Sequence, residues 1–157
     1  SGLWYMFAVC AASHVSNSMT GTPMSIVIHH NPNCGTSRNV LEIIRGFAGE
    51  PTIIEYLETG WTRPQLLGLF AAAGLTPREA LRVSKSPAEE LGLTDPAVSD
   101  DAILDSMLEH PVLVNRPIVC SPKGVALCRP SERVFALLNV ASGATFTKED
   151  GEVVTAP

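Results

Sequence analysis

The sequence has few charged residues and no excess of basic ones, and these shortages exclude two classes of partner. Only 17% of the 157 residues are charged, and the formal net charge is -5 at pH 7. A nucleic-acid-binding surface needs clustered lysine and arginine, so we expect no nucleic-acid partner. The apolar run at residues 3–12 is far too short to cross a bilayer, so we expect no membrane partner.

Cysteine is also scarce, and its four positions fit neither a zinc site nor a CxxC redox pair. They are Cys10, Cys34, Cys120 and Cys128, and no histidine or cysteine has the spacing of a zinc ligand. We therefore expect no bound metal. A chain of this length buries a core without disulfide staples, which favours reduced thiols and a cytoplasmic location.

The first 23 residues differ from the rest of the chain. Their apolar run lacks the basic start of a secretory signal, and Met24 stands directly before the first predicted strand. We expect residues 1–23 to be an N-terminal extension and residues 24–157 to form a single domain.

Hydrophobic periodicity predicts alternating strands and helices. A β-branched run predicts a buried strand at 25–29, and an apolar stripe predicts a helix over 36–48. A strand at 52–56 follows, so the β-α-β order implies a parallel pair with a right-handed crossover. Thr62 is expected to cap the next helix, which ends at Gly74.

The remaining pattern predicts a helical insert and a second set of strands. Ser86 and Glu89 have the spacing of a capping box. The tail after residue 141 is expected to be loose, with a weak helical turn at 147–152. Further helices are predicted over 76–83, from 86, over 99–110 and over 131–139, and further strands at 112–114, 118–120 and 125–128. This order predicts a thioredoxin-like α/β fold, β-α-β then β-β-α, with the helical insert between its halves.

The segment around Cys34 carries the main functional signal. A strand, an Asn-Pro turn, the cysteine and a helix start follow one another here. This order places a thiol at a helix N-terminus, where free backbone N–H groups and the helix dipole favour a thiolate and a bound anion. A free cysteine is often only a small buried hydrophobe, but Cys34 lies among polar residues. We interpret Cys34 as a nucleophile and the loop with Gly35 and Thr36 as an oxyanion site.

The neighbours of Cys34 suggest how the thiol is used. Position +3 is Ser37 and not cysteine, so an external thiol must complete any redox cycle. Ser37 or Thr36 is expected to cap the helix or to contact the sulfur. His30 is either a protonated imidazole that favours the thiolate or a hydrogen-bonded residue that holds the loop.

Three arginines are candidates for binding an anionic substrate. Arg116 and Arg129 each precede a proline at the edge of a predicted strand, and Arg82 is the third candidate. Guanidinium groups stay charged and match tetrahedral oxyanions through paired N–H bonds. Because the chain is acidic overall, an anion would have to be attracted by such local cations.

Three segments of the sequence, in order, resemble the glutaredoxin-coupled arsenate reductases. They are 29–39 (HHNPNCGTSRN), 115–119 (NRPIV) and 128–132 (CRPSE), within a resemblance that covers about residues 25–154. The resemblance implies a thioredoxin-like fold and a cytoplasmic role in arsenic detoxification. It also implies arsenate as substrate, glutathione as co-substrate, glutaredoxin as partner and no bound cofactor.

The resemblance also implies roles for single residues. Cys34 matches the nucleophile of that family, His30 its thiol-activating histidine and Ser37 its thiol-contacting serine. Pro117 matches a proline that follows a cis peptide bond. The three anion-binding arginines of the family match Arg82, Arg116 and Arg129.

Other functions stay open at this stage. A glutathione-dependent thiol reductase of another substrate would use the same thiol. The Spx-type regulators of this superfamily bind RNA polymerase and usually carry CxxC, whereas the motif here is Cys-Gly-Thr-Ser. A phosphatase-like CxxxxxR loop would need arginine where Val40 stands.

We expect the protein to be a monomer or a weak dimer.

Overall fold

The computed structural model describes residues 25–157. Cys10, Met24 and the expected N-terminal extension lie outside the described residues, so the predicted domain boundary stays a prediction.

The described chain contains six strands, four α-helices and two 3₁₀ segments. The strands are β1 (Val27–His29), β2 (Thr52–Ile54), β3 (Ile118–Ser121), β4 (Gly124–Leu127), β5 (Thr145–Thr147) and β6 (Val153–Thr155). The helices are α1 (Gly35–Ala48), α2 (Tyr56–Thr59), α3 (Arg63–Ala73) and α4 (Asp100–Glu109). The 3₁₀ segments are Pro111–Leu113 and Ser131–Leu137.

Four of the strands form one mixed sheet in the order β2-β1-β3-β4. Strand β1 pairs parallel to β2 and antiparallel to β3, so Ile28 lies opposite both Ile53 and Val119. The β3–β4 pair is a hairpin in which Ser121 lies opposite Gly124. This topology confirms the predicted thioredoxin-like fold, with α2, α3 and α4 inserted between its halves.

The sheet separates two hydrophobic clusters because successive strand residues point to opposite faces. Val119 packs with Ile43 and Ile44 of α1 on one face. Its neighbour Ile118 packs on the other face with residues of the helical insert, including Phe70. The end of β1, which leads to Cys34, is therefore held between two packed layers.

Helices α3 and α4 confirm their predicted starts. The Thr62 hydroxyl accepts a hydrogen bond from the Gln65 N–H, and the Gln65 side chain accepts one from the Thr62 N–H, so a capping box forms. Gly74 ends α3 at a φ of 68°, a left-handed conformation that suits glycine. The Ser99 hydroxyl accepts from the Ala102 N–H at the start of α4.

The predicted helices over 76–83 and from residue 86 are wrong, because this stretch forms turns. The Ser86 hydroxyl accepts from the Ala88 N–H at 3.2 Å and donates to the carbonyls of Arg82 and Val83. The Arg78 guanidinium donates to backbone carbonyls at residues 93, 95 and 98. Side chains therefore satisfy backbone groups that a helix would have paired internally.

Two further elements near the sheet differ from their predictions. The strand expected at 112–114 is mostly the 3₁₀ segment Pro111–Leu113, and Val114 forms only an isolated bridge with Leu81. The last predicted helix is the 3₁₀ segment Ser131–Leu137. Its inward face is as expected, since Val134 and Leu137 are buried.

The tail is ordered as a β-hairpin, which corrects the expectation of a loose segment with a helical turn. Strands β5 and β6 pair antiparallel, with Phe146 opposite Val154. Both side chains belong to the cluster that contains α1. The strands are short and half of their residues are threonine, so within them only these two apolar side chains mark the buried face.

No helix within residues 25–157 is long and apolar enough to cross a membrane.

The hairpin gives a matched test of this packing. Val154 is buried, whereas the neighbouring Val153 is 59% exposed. We expect Val154→Ala to lower the free energy of unfolding by about 2 kcal/mol, because it leaves a cavity in the core. Val153→Ala should change it by no more than about 0.5 kcal/mol. Urea denaturation measures both, and equal losses would show that the hairpin does not pack on the core.

Candidate active site

The loop between β1 and α1 holds Cys34 at the start of a helix. The Asn31 side chain accepts from the Asn33 N–H at 2.9 Å, and the Asn31 carbonyl accepts from the Cys34 N–H at 3.1 Å. Cys34 is the N-cap residue of α1, and no side chain caps this helix. The first-turn N–H groups, including those of Gly35 and Thr36, are therefore available to an anion.

Cys34 is buried and its environment favours the thiolate. Burial raises the pKa of the Cys34 thiol, but the Ser37 backbone N–H and the positive charges of Arg116 and Arg129 lower it. The net result is a pKa below the ordinary value for cysteine. Arg129 Nη1 lies 3.7 Å from the sulfur and donates to it.

The structure brings the three predicted arginines to this thiol. Arg129 Nη1 also donates to the Arg116 carbonyl at 3.1 Å, so the two arginine segments are joined. The charge of Arg82 interacts with those of Arg116, Cys34 and Arg129. Burial, followed by repulsion from Arg116, lowers the pKa of Arg82.

These arginines have no carboxylate partner within residues 25–157. Arg82 Nε donates to the Ser84 carbonyl, and Arg116 Nη1 donates to the Asn115 side chain. Arg116 Nε is buried and has no hydrogen-bond partner among residues 25–157. Cations that no carboxylate among residues 25–157 neutralises are able to bind an anion.

Backbone bonds fix the segments that carry the arginines. The Arg82 N–H donates to the Leu113 carbonyl at 2.8 Å, and the Asn115 N–H donates to the Ala80 carbonyl at 2.8 Å. The Arg116–Pro117 and Arg129–Pro130 peptide bonds are both cis. The first is the position at which the resemblance implied a cis proline, and the second was not expected.

His30 and Ser37 form a buried pair beside the loop. His30 Nδ1 lies 2.7 Å from Ser37 Oγ, which also accepts from the Asn31 N–H at 3.0 Å. Burial lowers the pKa of His30; Glu55 raises it, and Arg45 and Arg38 lower it further. The imidazole is therefore neutral near pH 7, which favours the loop-holding alternative over the protonated one.

Ser37 contacts the thiol through its backbone and not through its hydroxyl. Its N–H lowers the pKa of Cys34, whereas its hydroxyl is engaged by His30 and Asn31. Ser37 therefore acts on the sulfur through a main-chain N–H, which any residue except proline would supply at this position.

Two residues near the site were missed by sequence reasoning. Glu149, at the tip of the tail hairpin, accepts two hydrogen bonds from Arg38 and lies against Gly35. Tyr56 is fully buried, and its hydroxyl interacts electrostatically with Arg82, Arg116 and Cys34. Neither has a local motif, because both reach the site through contacts distant in sequence.

The other described cysteines do not join this site. Burial raises the pKa of Cys128 to about 12, and its thiol donates to the Ala126 carbonyl. Burial also raises the pKa of Cys120. Within residues 25–157, no cluster of histidine, cysteine and carboxylate side chains could hold a metal ion.

Comparison with known proteins gives consistent results. The ArsC family matches residues 29–137. The chain is 62% identical over 133 residues to arsenate reductase ArsI1 of Synechocystis sp., which covers 85% of this chain and 92% of that protein. It is 54% identical over 130 residues to arsenate reductase of Escherichia coli K12, with 83% and 92% covered. The structure of an arsenate reductase from Vibrio cholerae matches with a TM-score of 0.68 and 39% identity, covering 74% of this chain and all of that one.

Removing Arg129 should raise the pKa of the Cys34 thiol, because the mutation deletes both a charge and a hydrogen bond that favour the thiolate. At neutral pH, alkylation of Cys34 by iodoacetamide should slow by about tenfold in Arg129→Ala. The control is Arg63→Ala, an exposed arginine paired with Asp101 and Asp105. Equal alkylation rates in the two variants would contradict the assigned electrostatics.

Proposed function

Since the chain belongs to the ArsC family, we propose that it reduces arsenate to arsenite with glutathione and glutaredoxin, through a covalent adduct on Cys34. The observation that carries this proposal is a thiolate-favouring cysteine beside three arginines that have no carboxylate partner among the described residues. The relatives named arsenate reductase support arsenate as the anion.

Arsenate binds in the loop at the start of α1. Its oxygens accept hydrogen bonds from the guanidinium groups of Arg82, Arg116 and Arg129 and from the backbone N–H groups of Gly35 and Thr36. Arg116 Nε supports this role, because it is a buried donor with no partner in the described part of the chain, and such donors are rare in folded proteins. The anion also relieves the repulsion among the three cations.

The Cys34 thiolate then attacks arsenic. A sulfur–arsenic bond forms and one arsenic–oxygen bond breaks, and the leaving oxygen takes up protons and departs as water. Arsenic remains pentavalent in this adduct. The arginines and N–H groups stabilise the negative charge on the remaining oxygens, which is electrostatic preorganisation.

Glutathione performs the reduction. Its thiolate attacks the Cys34 sulfur, a disulfide bond forms and the sulfur–arsenic bond breaks. The electron pair of that bond stays on arsenic, which becomes trivalent and leaves as arsenite, while the two sulfurs are oxidised to a disulfide. Glutaredoxin then attacks the glutathione sulfur and releases Cys34 as a thiolate.

Two features of the described residues support the need for external thiols. Ser37 occupies the place of a resolving cysteine, and burial keeps Cys120 and Cys128 protonated at neutral pH. Glutathione and glutaredoxin favour a cytoplasmic location for the reaction. A single domain acting as a monomer or weak dimer is sufficient for this chemistry, and no bound cofactor is required.

Replacing Cys34 tests the proposal. Cys34→Ser should lower arsenate-dependent NADPH oxidation, coupled through glutathione, glutaredoxin and glutathione reductase, by about three orders of magnitude or more. Cys120→Ser is the matched control, because it changes a thiol outside the site and should retain activity.

Three outcomes would contradict the proposal. Substantial activity in Cys34→Ser would show that Cys34 is not the nucleophile. Full activity without glutaredoxin would show that the proposed thiol route is not used. Reduction of glutathione mixed disulfides by the unchanged protein, with no turnover of arsenate, would indicate a thiol reductase of another substrate.

A further inference from the structure

The aromatic ring of Tyr56 is packed in the hydrophobic cluster of the helical insert. Tyr56 begins α2, two residues after the end of β2, and is fully buried. Its ring stacks on Trp61, with ring centroids 4.9 Å apart and an angle of 25° between the planes. Trp61 packs in turn against His29, and its Nε1 donates to the Pro111 carbonyl. The position of the hydroxyl is therefore fixed by packing.

The Tyr56 hydroxyl itself has no hydrogen-bond partner among the described residues. The Asn31 side chain lies beside the oxygen and lowers the pKa of the phenol, but it does not meet the distance and angle of a hydrogen bond. Buried hydroxyl groups are almost always paired, and an unpaired one is costly. A fixed, buried and unpaired donor indicates that its partner arrives with a ligand.

The surroundings of the hydroxyl identify which ligand this is. The charges of Arg116 and Arg82 act on the phenol, and so does the charge of Cys34. These are the groups that surround the candidate anion site. Burial raises the pKa of Tyr56 above its ordinary value, so the hydroxyl keeps its proton at neutral pH and is a donor.

We propose that Tyr56 is a further substrate-binding residue, whose hydroxyl donates a hydrogen bond to an oxygen of the bound tetrahedral oxyanion. The inference rests on the proposed function for the identity of that anion as arsenate. A neutral donor suits this position, because burial and then repulsion from Arg116 already lower the pKa of Arg82, and a further cation would add to that repulsion. The hydroxyl adds a bond to the anion without adding a charge.

The test compares arsenate binding with and without the hydroxyl. Cys34→Ser serves as the parent, since it blocks the chemistry, and Tyr56→Phe is added to it. Calorimetry should give an arsenate Kd about tenfold higher in the double variant, as expected for the loss of one hydrogen bond to a charged ligand. The melting temperature without arsenate should be unchanged or higher, because the hydroxyl has no protein partner to lose.

The matched control is Phe70→Leu in the same parent. Phe70 is a buried aromatic residue of the same hydrophobic cluster, with no polar group near the site. Its replacement should lower the melting temperature and leave the arsenate Kd unchanged. A purely structural role for Tyr56 would give the same pattern as this control, and that result would overturn the inference.

An unchanged arsenate Kd in the double variant would also overturn the inference, whatever its melting temperature. If the single variant Tyr56→Phe then shows a higher Cys34 pKa, the hydroxyl serves the thiolate and not the anion.

Inorganic sulfate, used as a second oxyanion probe, separates this inference from the proposed function. If the unchanged protein does not reduce arsenate, but Tyr56→Phe weakens sulfate or arsenate binding by about tenfold, the proposed function fails and the role of Tyr56 stands. If the protein reduces arsenate and the phenylalanine variant binds the anion normally, only the role of Tyr56 fails. Absence of any oxyanion binding would overturn both.

Discussion

The site depends on the attraction between the Cys34 thiolate and arginines that have no acidic partner among residues 25–157. Arg129 reaches the sulfur directly, and Arg116 acts through its charge. Because the described part of the protein supplies no carboxylate to these cations, their charge remains available to the thiolate and to an incoming anion. The same arrangement therefore activates the nucleophile and attracts its substrate, in a chain whose net charge is -5.

The fold brings the residues of the site together through the pairing of its strands. The sheet places the start of β3 and the end of β4 side by side, since Ile118 pairs with Leu127, and the adjacent arginines consequently meet at one edge. The Leu81–Val114 bridge brings the Arg82 segment to the same edge. Burial of His30 makes it a neutral residue that holds the loop, and not a further source of positive charge beside the three arginines.

Features with a local physical cause could be predicted from the sequence, whereas features made by distant contacts could not. The turn before Cys34, the Thr62 cap and the Arg-Pro pairs each involve a few adjacent residues, and the structure places all of them as expected. The turns after Gly74 depend on Arg78 reaching carbonyls up to 20 residues away. The Arg38–Glu149 pair spans 111 residues, so no local pattern signals it. The unpaired Tyr56 hydroxyl is visible only when its surroundings are known.

In the proposed mechanism, the sulfur of Cys34 bonds to arsenic while the arginines hold the arsenate oxygens. X-ray absorption at the arsenic edge tests this most directly, on protein mixed with arsenate in the absence of glutathione. We expect one arsenic–sulfur bond per protein molecule, on arsenic that is still pentavalent, and the loss of this bond when Cys34 is replaced by serine. Arsenic surrounded by oxygen alone in the unchanged protein, or an arsenic–sulfur bond that persists without Cys34, would contradict the account.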